Sequence, residues 1–294
     1  MPEKEKYYRY LNSEKRVSPH TLTSYTNDLE QFSLYITRYY GVALLDVKTM
    51  HIRSWFAELK EGGMSSRSIH RKRSTLTSFY KYARREQWLL VDPVRQTIAP
   101  KSEKRLPQFV DEKGMRELLE EQIPRNGEFH NERDHLLITL LYECGIRRAE
   151  LIGINEADVD FSKQQLKVLG KRNKERLIPL SKKTVEQVRE YMKIKQEIFG
   201  MKSTFLLCTD RGARLYPAFV YRKVNSYLGK VSTLDKRSPH ILRHTFATHL
   251  LNNGAQLNTV KELLGHASLS ATQVYTHNTI EKLKSIHERN HPKG

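Results

Sequence analysis

The 294-residue sequence has only two cysteines, Cys144 and Cys208, which lie far apart and in no CxxC spacing. This argues against a disulfide framework and a cysteine-type zinc site, and it is typical of a reducing cytoplasm. The longest apolar run, LLITLLY, is well short of the roughly 18 residues that a membrane span needs. The charged N-terminus predicts no secretory signal, and no GxxxxGK[ST] motif for ATP occurs. We therefore expect a cytoplasmic protein without membrane association.

Acidic residues are scarce beside basic ones. Lys and Arg number 51 against 33 Asp and Glu, so the formal net charge is +18 and the pI is near 9.8. Such an excess of positive charge says little about fold, but it indicates a polyanionic partner. The 38% hydrophobic content, with 15 Tyr and 10 Phe, supplies enough apolar material for about two folded domains.

Residues 1–99 are predicted to form a helical domain. Ser18 and Pro19 are typical of an N-cap and a first helical position, and Gly41 is expected to end that helix. Apolar residues then recur at spacings of three and four, which indicates amphipathic helices. Four helices are predicted, over about 18–41, 52–62, 66–83 and 84–91.

The third predicted helix is strongly basic. Seven Lys and Arg fall within nineteen residues with no acidic residue among them. A solvated face is the alternative, but solvated faces usually mix both signs of charge. We therefore expect this helix to contact the DNA backbone. The residues predicted to do so are Arg67, Arg71, Lys72, Arg73, Lys81 and Arg84.

Residues 100–107, PKSEKRLP, are charged and bracketed by prolines, so they are predicted to be a linker. The following region, 108–294, mixes both kinds of secondary structure. Its segment 165–180 is predicted to be a β-hairpin, with Gly and Asn in the turn. The fold class is therefore mainly α with a small β-hairpin or sheet. Helices are predicted at 111–121, 131–143, 147–153 and 182–197, and again from 238 onward.

Candidate reactive groups lie in four segments of this second region. His240 and Arg243 are three residues apart, so they share one face of a helix that begins at Ser238. Arg147 follows Gly145 at a predicted helix start, and Lys171 lies at the hairpin tip. The other candidates are His266, just after Gly265, and Tyr275.

These residue types suit cleavage of a phosphodiester. Two arginines can bind the phosphate oxygens bidentately, and a tyrosine hydroxyl can attack phosphorus to form a phosphotyrosine ester. A lysine at a hairpin tip can protonate the leaving 5′ oxygen, while histidines hydrogen-bond the phosphate and help to move protons. Tyr275 has no competing tyrosine after Tyr227.

Metal and packing interpretations are the alternatives. His240 and His244 are four residues apart, but no HExxH motif accompanies them and no further ligand set is near, so we expect no metal. His244 and His249 are predicted to face the core or to cap a helix. Tyr142, Tyr216, Tyr221 and Tyr227 are predicted to be structural.

Four segments, GIRRAEL, VLGKRNKERLIPL, PHILRHTFATHLL and LLGHASLSATQVYTH, resemble the signature segments of the tyrosine recombinase (phage integrase) family, in that family's order. The resemblance is greatest to the Xer branch, which resolves chromosome dimers. It covers nearly the whole chain and implies an N-terminal four-helix core-binding domain followed by a catalytic domain. Within the latter, the tail 278–294 is expected to dock on a neighbouring subunit.

The resemblance also implies roles for individual residues. Arg147 binds the phosphate and Glu150 supports the site; Lys171 is the general acid, with Lys174 as its rival. The H-x-x-R pair is His240 with Arg243, the histidine of the LGH segment is His266, and the nucleophile is Tyr275.

Two residues depart from the family pattern. Arg148 stands where a small apolar residue is usual, and Arg172 stands where glycine is common. We keep Arg147 as the phosphate ligand, since adjacent helical residues point about 100° apart. Arg172 and Lys174 are expected to add DNA contacts.

The implied partner is double-stranded DNA with inverted half-sites. Two monomers would bind the inverted half-sites of one duplex as a dimer. Two such dimers would form a tetramer, either of this chain alone or with a second recombinase, and the resemblance also allows an activator protein. The ester keeps the bond energy, so no cofactor and no metal is expected. The alternatives are an integrase or invertase of a mobile element, a type IB topoisomerase and a catalytically silent DNA-binding regulator.

Overall fold

The computed structural model confirms a mainly α-helical protein with one small sheet. The residues that it describes are 2–98, 100, 108–170, 174–200 and 204–265. The chain divides into two compact units, Met1–Arg105 and Leu106–Gly294, with their boundary inside the segment predicted as a linker. None of the helices in the described ranges is long and apolar enough to cross a membrane.

Four α-helices lie within the described residues of the first unit. These are α1 (Pro2–Arg9), α2 (Pro19–Tyr40), α3 (Thr49–Glu61) and α4 (Ser66–Arg85). Ser18 caps α2 as predicted, since its Oγ accepts a hydrogen bond from the Thr21 amide at 3.2 Å. Gly41 ends the helix at a φ of +65°, a left-handed conformation that glycine adopts without strain. Ser65 caps α4 in the same way through the Ser68 amide.

The identity of the fourth helix differs from the prediction. The short helix expected near 84–91 is wrong, because α4 itself continues to Arg85 and the chain then turns at Gln87, whose φ is +60°. The fourth helix is α1, which continues into a π-helical segment, Tyr10–Glu14. Tyr7 and Leu11 from this stretch are fully buried in the core of the unit. Many charged residues surround Tyr7 and Leu11 in the sequence, so the apolar face of this helix was not recognised from the sequence.

The second unit is built around α6, a helix that is buried along almost its whole length. Its helices are α5 (Glu112–Glu117), α6 (Phe129–Glu143), α7 (Arg148–Gly153), α8 (Lys182–Phe199), α9 (Pro217–Val231), α10 (Pro239–Asn252) and α11 (Leu257–Leu264). Helix α9 was not predicted, although Val220, Val224 and Leu228 recur at a spacing of four and are fully buried.

The sheet has three antiparallel strands in the order β1-β2-β3. These are β1 (Val159–Asp160), β2 (Gln165–Leu169) and β3 (Glu175–Pro179). Strands β2 and β3 form the predicted hairpin, with Leu166 opposite Ile178 and Val168 opposite Arg176. All four side chains are buried, so Arg176 places a charge on the inward face of the sheet.

The turn that follows α6 brings three helices close together. Gly145 has a φ of +56°, and a Cβ added there would lie 2.4 Å from the Phe246 ring on α10 and 3.0 Å from Leu264 on α11. Only glycine allows this approach of the backbone to the two side chains. The turn therefore places the start of α7 beside α10 and the end of α11.

Candidate active site

Arg147 is fixed by the first turn of α7. As the N-cap residue, it donates from its backbone nitrogen to Glu150 Oε2 at 2.7 Å and from its guanidinium Nη1 to Glu150 Oε1 at 2.8 Å. Its Nη2 also reaches the Gly265 carbonyl oxygen at 3.4 Å. The Arg147 side chain remains 35% exposed, so an anion in solvent can reach its guanidinium.

Arg243 on α10 binds the backbone next to the Gly265 carbonyl that Arg147 reaches. Its guanidinium donates to the carbonyl oxygens of Gly145 and Leu264, both at 2.6 Å. Arg147 and Arg243 therefore both bind the C-terminal end of α11, directly before position 266. The structure brings together two arginines that lie almost one hundred residues apart in the sequence.

The electrostatics of this pair favour an anion. Burial first, and then the positive charge of Arg147, lower the pKa of the Arg243 guanidinium to about 10. Both groups are still cationic at neutral pH, so two positive charges are held together by the fold. A bound phosphate would relieve this repulsion.

His240 lies one turn before Arg243 on α10 and is exposed. Burial of its ring lowers its pKa, and the charges of His244, Arg148, Arg243 and Arg147 lower it further. These effects favour the neutral form of the imidazole, which lies within the field of the two arginines. Four predicted site residues that the structure describes, Arg147, Glu150, His240 and Arg243, thus converge.

Arg176 was not predicted as a site residue. From β3 it donates to Glu150 Oε1 at 3.0 Å and Oε2 at 2.8 Å, and its Nε donates to the Leu263 carbonyl oxygen at 3.2 Å. Burial of Glu150 opposes its ionisation, but the bonds and charge of Arg176 and then of Arg147 hold the pKa of the carboxyl below its ordinary value. Its position in the sequence could have revealed this role, because the alternation of β3 places Arg176 on the same inward face as Ile178.

Gly170 and Lys174, the described residues on either side of the hairpin tip, lie beside Arg176 and Glu150. The Gly170 amide donates to the Lys174 carbonyl oxygen at 2.8 Å, and a Cβ on Gly170 would lie 3.5 Å from Arg176 and 3.6 Å from Glu150. Lys174 itself is exposed. Lys171 and Arg172 lie outside the described residues, as do His266, Tyr275 and the tail 278–294.

The histidines of α10 do not form a cluster of metal ligands. His249 is buried as predicted, and its Nδ1 shares a 2.8 Å hydrogen bond with the Tyr142 hydroxyl. The prediction for His244 is wrong, because its side chain is exposed. Over the described ranges, no group of three or more His, Cys, Asp or Glu side chains could hold a metal ion.

The basic residues of α4 have different environments. Arg67, Lys81 and Arg84 are exposed, and Arg71 is exposed while its guanidinium binds Asp28. Arg73 is partly buried and donates to the Thr97 carbonyl oxygen at 3.2 Å.

Lys72 corrects the predicted set. It is fully buried and its ammonium binds Asp28 at 2.9 Å and also Gln31. An ammonium held inside the domain is not available to DNA, so Lys72 is removed from the predicted DNA-binding residues.

Comparison of the sequence with known proteins identifies the family of this chain. Residues 108–282 match the phage integrase family, and residues 5–87 match the phage integrase N-terminal SAM-like domain. The chain is 35% identical to the tyrosine recombinase XerC of Chlorobaculum parvum, over 98% of this chain and 94% of that protein. It is 36% identical to the XerC of Listeria innocua, over 99% and 97%.

A solved structure shares the fold. The XerH site-specific recombinase bound to palindromic difH substrate superimposes with a TM-score of 0.74 at 22% identity, over 96% of this chain and 82% of that one. The family model over residues 108–282, together with these relatives, shows that the chain belongs to the phage integrase family. Within it, the relatives place the chain among the tyrosine recombinases, enzymes that cleave and rejoin DNA.

Proposed function

We propose that this chain is a site-specific recombinase that cuts double-stranded DNA with Tyr275 as its nucleophile. The observation that carries the proposal is the pair Arg147 and Arg243, which bind the backbone of residues 264–265 from two different helices. Two guanidiniums at one place suit the non-bridging oxygens of a scissile phosphate. His266 follows that backbone directly in the sequence, and Tyr275 follows nine residues later.

In the proposed reaction, the Tyr275 oxygen attacks phosphorus. The Tyr–O–P bond forms, the bond from phosphorus to the 5′ oxygen breaks, and a histidine of the site accepts the proton of the tyrosine hydroxyl. Lys171 donates a proton to the leaving 5′ oxygen, while His240 and His266 hydrogen-bond the phosphate. The products are a 3′-phosphotyrosine and a free 5′ hydroxyl. Arg147 and Arg243 stabilise the charge that grows on the phosphate oxygens.

Strand exchange follows from the same chemistry. The free 5′ hydroxyl attacks the phosphotyrosine of a partner duplex, and a Holliday junction forms and is resolved. Two monomers bind inverted half-sites, and two such dimers form a tetramer of this chain alone or with a second recombinase. The tail 278–294 couples neighbouring subunits. The phosphotyrosine retains the energy of the diester, so the cycle requires neither a cofactor nor a metal.

The proposed biological role is resolution of chromosome dimers in the cytoplasm, with an activator protein as a possible regulator. Curated relatives called XerC support this role, since they match nearly the full chain. An integrase or invertase of a mobile element would use the same chemistry at other DNA sites.

DNA binding is proposed to involve both units. In the first, α4 offers Arg67, Arg71, Lys81 and Arg84 to the phosphate backbone. In the second, the exposed Lys174 and the nearby sequence position Arg172 are proposed to add contacts to the same backbone. These contacts position the duplex, and they make affinity fall steeply with salt.

Covalent trapping tests the reaction. The protein is incubated with sheared host DNA and denatured, and the fragments that stay attached to it are recovered and sequenced. We expect the wild type to yield fragments joined through a 3′ phosphate, and Tyr275→Phe to yield none. Tyr39→Phe, which alters an exposed tyrosine of α2, is the matched control and should keep the adduct.

The positions of the fragments distinguish the biological roles. Adducts at one palindromic locus near the replication terminus would support chromosome resolution, whereas adducts at element ends would move the role to mobile DNA. Adducts spread without sequence preference would favour a type IB topoisomerase. If the wild type yields no adduct, alone or with an added partner recombinase, the chain is a silent DNA-binding regulator.

A further inference from the structure

Arg176 is the buried centre of the described site. Its side chain is 5% exposed, as is that of Glu150, and its guanidinium meets both carboxylate oxygens of Glu150 in a bidentate pair. A third bond from Nε holds the Leu263 carbonyl oxygen near the end of α11. Because Arg176 is enclosed by protein, it does not reach a DNA phosphate itself.

The charge balance around Glu150 indicates what Arg176 contributes to the site. Glu150 carries one negative charge and binds two guanidiniums, those of Arg147 and Arg176. If Arg147 were its only partner, that pair would be neutral. With Arg176 present the group of three keeps a net charge of +1, and that charge lies on the exposed member, Arg147. Glu150 can therefore orient Arg147 without cancelling its attraction for an anion.

Arg176 also packs against the two turns that precede predicted catalytic residues. A Cβ added to Gly265 would lie 3.3 Å from Arg176 Cδ, and one added to Gly170 would lie 3.5 Å from its Nη1. Gly265 directly precedes His266 and Gly170 directly precedes Lys171. The Arg176 side chain thus sets the distance between these two turns and α7.

We propose that Arg176 is a positioning residue, which holds Glu150 and through it Arg147 in the orientation and charge state that a scissile phosphate requires. This inference rests on the proposed function, because it assumes that Arg147 binds that phosphate. In this arrangement Arg147 touches the DNA, Glu150 orients Arg147, and Arg176 supplies a fixed second cation on the buried side of the Glu150 carboxylate.

The test compares Arg176→Met with the wild type on two versions of the duplex mapped by covalent trapping. One has a normal scissile phosphate, and the other has a methylphosphonate there, in which a methyl group replaces one charged oxygen. On the normal duplex we expect single-turnover cleavage to slow by about 100-fold, the loss typical of one electrostatic contact to the transition state. On the neutral methylphosphonate the loss should shrink to about tenfold or less, because less positive charge is needed.

Arg133→Met is the matched control. Arg133 is a fully buried arginine of α6 that binds Asp134 and Asp210, ten residues before the end of that helix. Its loss disturbs the same unit, but it should lower cleavage of both duplexes by the same factor. Arg176→Lys is the second variant, for the case in which Arg176→Met does not fold. It keeps a buried cation without the bidentate pair, so we expect an intermediate loss that the methylphosphonate again reduces.

The outcomes separate the inference from the proposed function. If folded Arg176 variants cleave like the wild type, or lose equal activity on both duplexes, Arg176 has no role in charge or orientation at the phosphate. If the wild type forms no adduct at all, the proposed function itself fails.

Discussion

Each unit of the chain contains a buried carboxylate that is shared between an inner and an outer basic side chain. In the first unit Asp28 binds Lys72, which is 2% exposed, and Arg71, which is 45% exposed. In the second unit Glu150 binds the buried Arg176 and the more exposed Arg147. Both arrangements join distant parts of the chain and leave a net charge of +1 that faces solvent.

The inner cation is the main difference between the two sites. Lys72 is a single ammonium, and besides Asp28 it has Gln31 and the face of the Trp55 ring, 5.4 Å from its Nζ. Arg176 makes a planar bidentate pair and also binds a backbone carbonyl. Without its carboxylate, Lys72 keeps Gln31 and the Trp55 ring, whereas Arg176 keeps the Leu263 carbonyl oxygen. We therefore expect the Asp28 site to lose less stability than the Glu150 site when the carboxylate is removed.

The largest expected effect comes from removing the two carboxylates. Glu150→Ala leaves a buried guanidinium unpaired and should lower the free energy of unfolding of the second unit by about 3–5 kcal/mol. Asp28→Ala should cost the first unit less, because Lys72 keeps Gln31 and the face of the Trp55 ring as partners.

Urea unfolding measures the two units separately. Both tryptophans, Trp55 and Trp88, lie in the first unit, so fluorescence follows that unit while circular dichroism follows both. Equal losses of unfolding free energy in the two variants would contradict the distinction between an inner lysine and an inner arginine.

The turns that end two helices give a second comparison. Gly41 ends α2 with open space around it, whereas Gly145 follows α6 against Phe246 and Leu264, and both have positive φ. Gly41→Ala should cost about 1–2 kcal/mol from backbone strain alone. Gly145→Ala should add roughly 1–3 kcal/mol for overpacking and should also slow cleavage, since it displaces the start of α7.

Unfolding free energies of the two alanine variants check this prediction. A control variant, Gly145→Ala with Phe246→Leu, makes room for the added methyl group and should recover part of the extra loss. If Gly145→Ala is no worse than Gly41→Ala, the close approach at the end of α6 does not constrain the site.

The sequence predicts local features of the two units better than it predicts their partners. The cap Ser18, the hairpin and the convergence of Arg147 with Arg243 follow from local chemistry and from the family pattern. Lys72 was misassigned because its environment depends on Asp28, 44 residues away. Arg176 was missed for the same reason, since its carboxylate lies on another element, 26 residues earlier in the chain. Helical periodicity identifies a face, but the fold decides which charge that face buries.

The smallest expected effect concerns the outer cation of the first unit. If Asp28 presents Arg71 to the phosphate backbone, Arg71→Gln should weaken binding of a random-sequence duplex severalfold and reduce the slope of log K against log salt by about 0.9. Arg53→Gln is the matched control, because Arg53 is exposed on α3 and binds the Gln96 carbonyl oxygen. Fluorescence anisotropy at several salt concentrations measures both slopes. If Arg53→Gln reduces the slope as much as Arg71→Gln does, binding depends on the net charge of the unit, and the exposed face of α4 has no special part in it.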